Sequence, residues 1–320
     1  MNKELIQISD QELIARLQEY GTDADGAFAE NTMMALRRDL EKFAAWCQQQ
    51  NRLPLPATDE TVRNYIYWCA EKYKPASIER YLASIAHLHR AAEQEDPTKS
   101  NRVKLALKTV KREKGTRQKQ AKGMTLFDLA RIEAVLEGTP REIRDYAMLR
   151  VARDGMLRSS NVVALNVEDF SFDEDGSGTV LIQRSKTDQE GRGAVKWISP
   201  DAVSALQAWW RFAGIRSGAA FLTVTRGTSV KINRVAKRDF ERGIKRLSLK
   251  AGLDPLSGHS PRVGMSQDLT AAGIDLIAIM QAGGWKSTKM PARYTEHLAV
   301  KRGAVAQFYS RNPTPSKEET

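Results

Sequence analysis

The chain has 320 residues, 41% of them hydrophobic, and carries 50 Lys and Arg against 39 Asp and Glu for a formal charge of +11. That length divides into about two domains, and periodic apolar runs give each an ordinary core, while no stretch reaches the roughly 18 uninterrupted apolar residues of a membrane span. The basic balance favours a polyanionic partner, nucleic acid first, because basic surface gains from neutralising phosphates and releasing counterions.

The opening MNKELIQISDQELI lacks the basic start and apolar core of a signal peptide, so a cytoplasmic protein of the prokaryotic cytosol or nucleoid is expected. Residues 1–110 read as a helical domain. Segment 31–50 opens at Asn31 or Thr32 as N-cap and sets Met33, Leu36, Leu40, Phe43 and Cys47 on one stripe. A second helix follows Pro54 and Pro56 through ETVRNYIYWCAEKY, and a third, SIERYLASIAHLHRAAE, follows Pro75. Cys47 and Cys69 fall inside these helices without ligand-like spacing to a histidine, which reads as two buried free thiols.

Between Thr98 and Lys122 ten Lys or Arg face one acid, Glu113. The stretch reads as a helix running into a basic linker over 111–123, laid along a phosphate backbone, with a plain spacer as the alternative. A second domain then spans 124–310. Helices are expected near 125–137 and 140–154, then strands at VEDFSFD, GTVLIQRS and GAVKWIS joined as a three-stranded antiparallel meander. Helical patterns return at DAVSALQAWWRFAG, at NRVAKRDFERGIKRLSLKAG, and from Pro261 to near Tyr309; residues 311–320 read as a disordered tail. The fold expected is mainly α, with a helical N-terminal domain and a mostly helical second domain holding a small antiparallel sheet. No GxxxxGKS phosphate loop is present.

The second half holds side chains suited to phosphoryl transfer without a metal. Guanidinium forks can hold the charge that gathers on the equatorial oxygens of phosphorus, and Arg158 in GMLRSSN and Arg262 in GHSPRVG are the candidates. His259, three residues before Arg262, can accept or relay a proton near neutral pH. Lys186, after the strand TVLIQRS, can protonate a departing sugar oxygen. In GGWKSTKMPARY, Trp285 stands nine residues before Tyr294, whose phenol can attack phosphorus when neighbouring positive charge favours its phenolate. Each residue alone also has an ordinary structural or solvated reading.

The order Arg158, Lys186, His259 with Arg262, Trp285 and Tyr294 resembles the tyrosine recombinases, most closely the Cre-type DNA recombinases. HSPRVG, AGI, IMQAGGW and the step to the tyrosine carry the likeness; AFAENT, AAWC and LHR extend it to the first half, so it covers about Ala27 to Tyr309. The resemblance implies Tyr294 as nucleophile, Arg158 and Arg262 on the scissile phosphate, Lys186 as general acid, His259 in proton transfer and Trp285 on the phosphate or behind the tyrosine. It also implies a 3′-phosphotyrosyl bond, no cofactor or metal, and double-stranded DNA as partner. A monomer in solution would become a homo-tetramer on two DNA sites, each with paired inverted half-sites.

A C-terminal helix would dock into a neighbouring protomer, and Leu298, Val305 and Phe308 in HLAVKRGAVAQFY are its candidate anchors. Ser77, Arg80, Lys111, Lys237, Arg238 and Arg242 are candidate DNA contacts. One departure is Asn161, where the family carries a carboxylate; Glu168 or Asp169 could supply that charge instead. The alternatives are a DNA-binding architectural protein without catalysis and a strand-relaxing type IB topoisomerase.

Overall fold

The computed structural model describes residues 26–117, 120–183, 193–225, 229–301 and 303–312, with residues 12, 15, 16, 19, 20 and 22 before them. The chain forms two compact units, Met1–Gln118 and Lys119–Thr320. It is mainly α-helical, with thirteen α-helices among the described residues.

The first unit is built from α1 (Glu30–Gln49), α2 (Asp59–Lys72), α3 (Pro75–Ala91) and α4 (Asn101–Lys114). Thr58 and Ser100 cap α2 and α4 by accepting the amides of Thr61 and Arg102, and Pro75 opens α3 where a missing N–H costs nothing. Phe43, Trp46 and Cys47 of α1 pack with Tyr65, Ile66 and Cys69 of α2, with Ile78 and Ile85 of α3, and with Val103 and Ala106 of α4. Of the expected α1 stripe, Phe43 and Cys47 are buried, Leu36 and Leu40 half-buried, and Met33 exposed, because the first turn of α1 extends past the core. Both cysteines are buried free thiols, and burial pushes each up to about 11. His89 is a satisfied core histidine: one ring nitrogen takes the Ala57 amide at 2.9 Å and the other meets the Ile85 carbonyl at 2.8 Å.

The helix α4 runs to Lys114, so Lys111–Lys114 of the basic stretch are helical; residues 118 and 119 lie outside the described residues, as do 313–320 of the expected tail. Arg311 still belongs to the last helix.

The second unit begins with α5 (Leu126–Glu133), α6 (Pro140–Asp154) and α7 (Ser159–Ala164). Capping boxes at Thr125 with Asp128 and at Thr139 with Glu142 fix the starts of α5 and α6. The sheet follows as β1 (Phe170–Phe172), β2 (Gly178–Ile182) and β3 (Ala194–Ile198), antiparallel in the order β1-β2-β3. Then come α8 (Pro200–Ala213), β4 (Leu222–Val224), β5 (Val230–Arg234), α9 (Lys237–Lys250), α10 (Ser260–Ala271), α11 (Leu276–Gly283), α12 (Lys289–Lys301) and α13 (Ala304–Arg311).

The core of this unit is organised on α6, buried on nearly all sides and packed against α8, α9 and α10. Its buried charges are paired: Asp145 accepts from Arg144 at 2.7 Å and from Arg246, and Asp268 of α10 accepts from Arg153 and from the Leu126 amide at 2.7 Å. Three expectations need correction. Helix α5 ends at Glu133 rather than near 137. The hairpin β4-β5 was unforeseen, and it takes Asn233 and Arg234 from the expected helix, which starts at Lys237. The segment HLAVKRGAVAQFY is not one helix, since α12 ends at Lys301 and α13 begins after Gly303.

Helix α10 lies close against the segment before α5. The Met124 amide donates to the Ser260 carbonyl at 2.9 Å, and a Cβ at Gly264 would overlap the Met124 backbone. Gly264→Ala should therefore destabilise the chain by about 1–3 kcal/mol through overpacking, read as a lower urea midpoint for the second unit.

Candidate active site

Four short segments converge at the first turn of α10. Arg158 is the N-cap residue of α7 and His259 that of α10. The two ends are tied by the Ser159 hydroxyl, which donates to the Gly258 carbonyl at 3.1 Å. Only glycine fits at position 258, because a Cβ there would run into Ser159 and Glu241. Arg158 thus reaches the same side as His259 and Arg262, and its charge acts on both.

Arg262, on the first turn of α10, is 4% exposed. Its Nη1 donates to the Met156 carbonyl and its Nη2 to the Gly283 carbonyl at 2.5 Å. The guanidinium also lies over the Trp285 ring, 4.4 Å from the centroid. Trp285 in turn meets Tyr294 edge to face, with centroids 5.8 Å apart, so the indole supports both cation and phenol. Tyr294, on α12 and 5% exposed, places its hydroxyl 2.5 Å from His259 Nε2. Its backbone carbonyl accepts from Gln267 of α10 at 3.1 Å, which fastens α12 to α10.

Carboxylates neutralise the other buried arginines of the unit: Arg144 is held by Asp145, Arg153 by Asp268 and Arg150 by Asp201. Among the described residues, neither Arg158 nor Arg262 forms an ion pair. Carbonyl groups engage two of the Arg262 nitrogens without cancelling its charge, so the site keeps a positive field. Burial, and next the charge of Arg158, push Arg262 down to about 10, which leaves it protonated at neutral pH. Burial lowers His259 below its ordinary value, helped by Arg262 and Arg158, so the imidazole is neutral and able to take a proton. Burial raises Tyr294, opposed by Arg262, Arg158 and Arg293, so the phenol stays protonated until a base relieves it.

Of the residues expected from sequence, Arg158, His259, Arg262, Trp285 and Tyr294 come together; Lys186 lies outside the described residues. Asn161 is buried in α7. Glu168 and Asp169 are engaged with other groups: Glu168 accepts the Gly218 amide, and Asp169 accepts the Asn166 amide and the Gln183 side chain at 2.8 and 2.7 Å. A residue that sequence reasoning passed over is Lys196 of β3, whose ammonium donates to the carbonyls of Gln281 and Ala282 at 3.1 and 2.6 Å, beside the Gly283 carbonyl held by Arg262. A lysine in a short strand gives no signal of such a place.

The candidate DNA contacts are spread over both units. Ser77 is half-buried on α3, Arg80 donates to buried Asp39 at 2.8 Å, and Lys111 pairs with Glu79 at 2.5 Å. On α9, Arg238 is exposed, while Lys237 and Arg242 pair with Glu241 and Asp239 at 3.6 Å. Leu298 is half-buried on α12, one turn beyond Tyr294, whereas Val305 and Phe308 on α13 are exposed.

The phage integrase family pattern matches residues 122–300, and that of the phage integrase N-terminal SAM-like domain matches residues 23–96. The recombinase cre of Escherichia phage P1 is 29% identical over 303 residues, which is 88% of each chain. An integrase/recombinase xerD homolog of Selenomonas ruminantium is 32% identical over 300 residues, 88% of this chain and 86% of that one. Among solved structures, a lambda integrase dimer bound to a COC′ core site superposes with a TM-score of 0.62 at 15% identity, over 90% of this chain and 95% of that one. A lambda integrase tetramer bound to a Holliday junction gives 0.61 at 15%, over 88% and 76%. The two structural matches show the fold; the family match over more than half its length and the relatives at 29% and 32% identity place this chain in the phage integrase family, as a tyrosine recombinase of the Cre and Xer type.

Proposed function

We propose that this chain cuts and rejoins DNA at specific sites through a 3′-phosphotyrosyl intermediate on Tyr294. The observation that carries the reading is a buried phenol, bonded to a neutral imidazole, beside two arginines whose charge no carboxylate cancels among the described residues. A phosphodiester entering this space takes its non-bridging oxygens to Arg158 and Arg262. The Tyr294 oxygen attacks phosphorus while His259 Nε2 takes its proton, and the bond from phosphorus to the 5′ oxygen breaks. The leaving oxygen is protonated by Lys186, the role that the family resemblance gives it. The tyrosyl ester conserves the energy of the broken bond, and attack by a 5′-hydroxyl of a second strand reverses the step and exchanges partners.

Strand exchange between two sites requires several protomers, and a homo-tetramer on two sites with inverted half-sites fits that requirement. The helix α13 buries none of its residues and exposes Val305 and Phe308, which suits it to dock on a neighbouring protomer, with Leu298 supporting the end of α12. On DNA, Arg238 is the contact candidate with no acidic partner among the described residues. Ser77, Arg80 and Lys111 of the first unit and Lys237 and Arg242 of the second are the further contact candidates.

Incubating the protein with DNA from its native genetic neighbourhood, without metal or ATP, and then denaturing should yield a DNA-linked band. Tyr294→Phe should abolish that band while leaving DNA affinity unchanged; an adduct that survives the substitution refutes Tyr294 as nucleophile. Arg262→Ala should slow adduct formation by about 10²–10³. Because His259 must be neutral to accept the proton and its value lies below the ordinary 6.5, the cleavage rate should hold as pH falls past 6.5 and drop only in more acidic buffer. A single-turnover pH profile checks this, and His259→Gln should lower the rate and remove the acidic drop.

A further inference from the structure

The end of α11 presents three successive carbonyls, of Gln281, Ala282 and Gly283, to two cations on different elements. Lys196 takes the first two and Arg262 takes the third. The last carbonyls of a helix carry partial negative charge, and a cation there is favourable. The same turn holds Trp285: the Gly284 amide donates to Gln281 at 3.1 Å and the Trp285 amide to Met280 at 2.9 Å. Lys196 reaches this place because it shares the inward face of β3 with Ile198, opposite buried Val180. Its ammonium is half-buried next to another cation, an arrangement that burial and the Arg262 charge both oppose. Among the described residues no carboxylate compensates it.

We propose that Lys196 is a positioning residue for strand cleavage, which occupies the Gln281 and Ala282 carbonyls so that, at the end of α11, Arg262 engages only Gly283 and keeps the donors not bound to Gly283 and Met156 for the phosphate. Without the ammonium, the Ala282 carbonyl loses its lysine partner and the Gln281 carbonyl keeps the Gly284 amide alone, and both then compete with the phosphate for the guanidinium. The turn that carries Trp285 also loses its tie to the sheet. Lys196 touches neither the tyrosine nor the phosphate in this account, and proton delivery to the leaving oxygen is not assigned to it. The inference rests on the recombinase reading given above, but its structural half can be read without DNA.

The test uses the full chain as wild type, Lys196→Met, Lys196→Arg, Arg262→Ala and the double variant Lys196→Met with Arg262→Ala. Hydrogen exchange of the peptide containing Gly284 and Trp285 should speed up about tenfold in Lys196→Met and return toward wild type in Lys196→Arg, with the first unit unchanged. On the DNA fragment that the wild type captures covalently, Lys196→Met should slow adduct formation about tenfold or more at unchanged DNA affinity. In the Arg262→Ala background it should cause no further slowing. Unchanged exchange in the turn overturns the proposal. So does a loosened turn with a wild-type cleavage rate, or an equal slowing with and without Arg262. Lys196→Gln, which keeps a donor without charge, serves if the Met variant does not fold, and should show intermediate exchange. A wild-type chain that forms no adduct refutes the recombinase reading instead, while the exchange comparison still decides whether Lys196 holds the turn.

Discussion

A guanidinium taken out of water must find acceptors for its N–H groups, and the second unit is arranged around meeting that demand for Arg262 without a carboxylate. Its two carbonyl partners come from the turn after α6 and from the end of α11. Met156, one of the two, sits in the left-handed region at φ +49, an uncommon backbone state for a residue with a side chain. Carbonyl dipoles satisfy donors and leave the net charge in place, which a carboxylate would not. The paired arginines of α6 show the contrast: bound to Asp145, Asp201 and Asp268, they hold helices together and offer little to an anion.

That unspent charge sets the state of its neighbours. A buried imidazole near two arginines resists protonation, through its burial first and their charge second, and a buried phenol resists ionisation, so proton transfer between them is poised. The phenolate is then favoured by the same arginines at the moment it attacks. Substrate and site are complementary in one further way, since a phosphodiester brings the negative charge that the pocket lacks.

Much of the fold was legible in the sequence. Helices α2, α3 and α6 follow apolar periodicity and cap or proline signals nearly to the residue, whereas α1 follows its periodicity but starts at Glu30 behind Ala29 and not at the expected Asn31 or Thr32 cap. The β1-β2-β3 meander has the expected order, with all of the turn KTDQEGRG but its last glycine outside the described residues. The hairpin β4-β5 was not legible: its strands are short, Ile232 is 95% exposed, and pairing rather than a buried face defines it. Strand β3 runs against its own pattern. In AVKWI, alternation alone would turn Val195 and Trp197 inward, yet these are 64% and 55% exposed and Lys196 faces the interior. Ile198, fully buried, fixes which parity of β3 faces inward, and the carbonyls at the end of α11 give the lysine on that side its acceptors. At the C-terminus, the break between α12 and α13 separates Leu298 from Val305 and Phe308, which a continuous helix would have joined.

By itself the sequence determined which side chains could do the chemistry and in what order they occur, because residue type and local spacing are linear properties. HSPRVG brings His259 and Arg262 within one turn whatever the rest of the chain does. Tertiary structure alone decided that Arg158 and Tyr294 meet that turn, that Arg262 is held by carbonyls and not by acids, and that Lys196 belongs beside it. Those outcomes depend on contacts between residues distant in the chain, and on glycines at 258 and 264 that let backbones approach closely. A backbone acceptor has no side-chain identity, so nothing in the order of amino acids announces it.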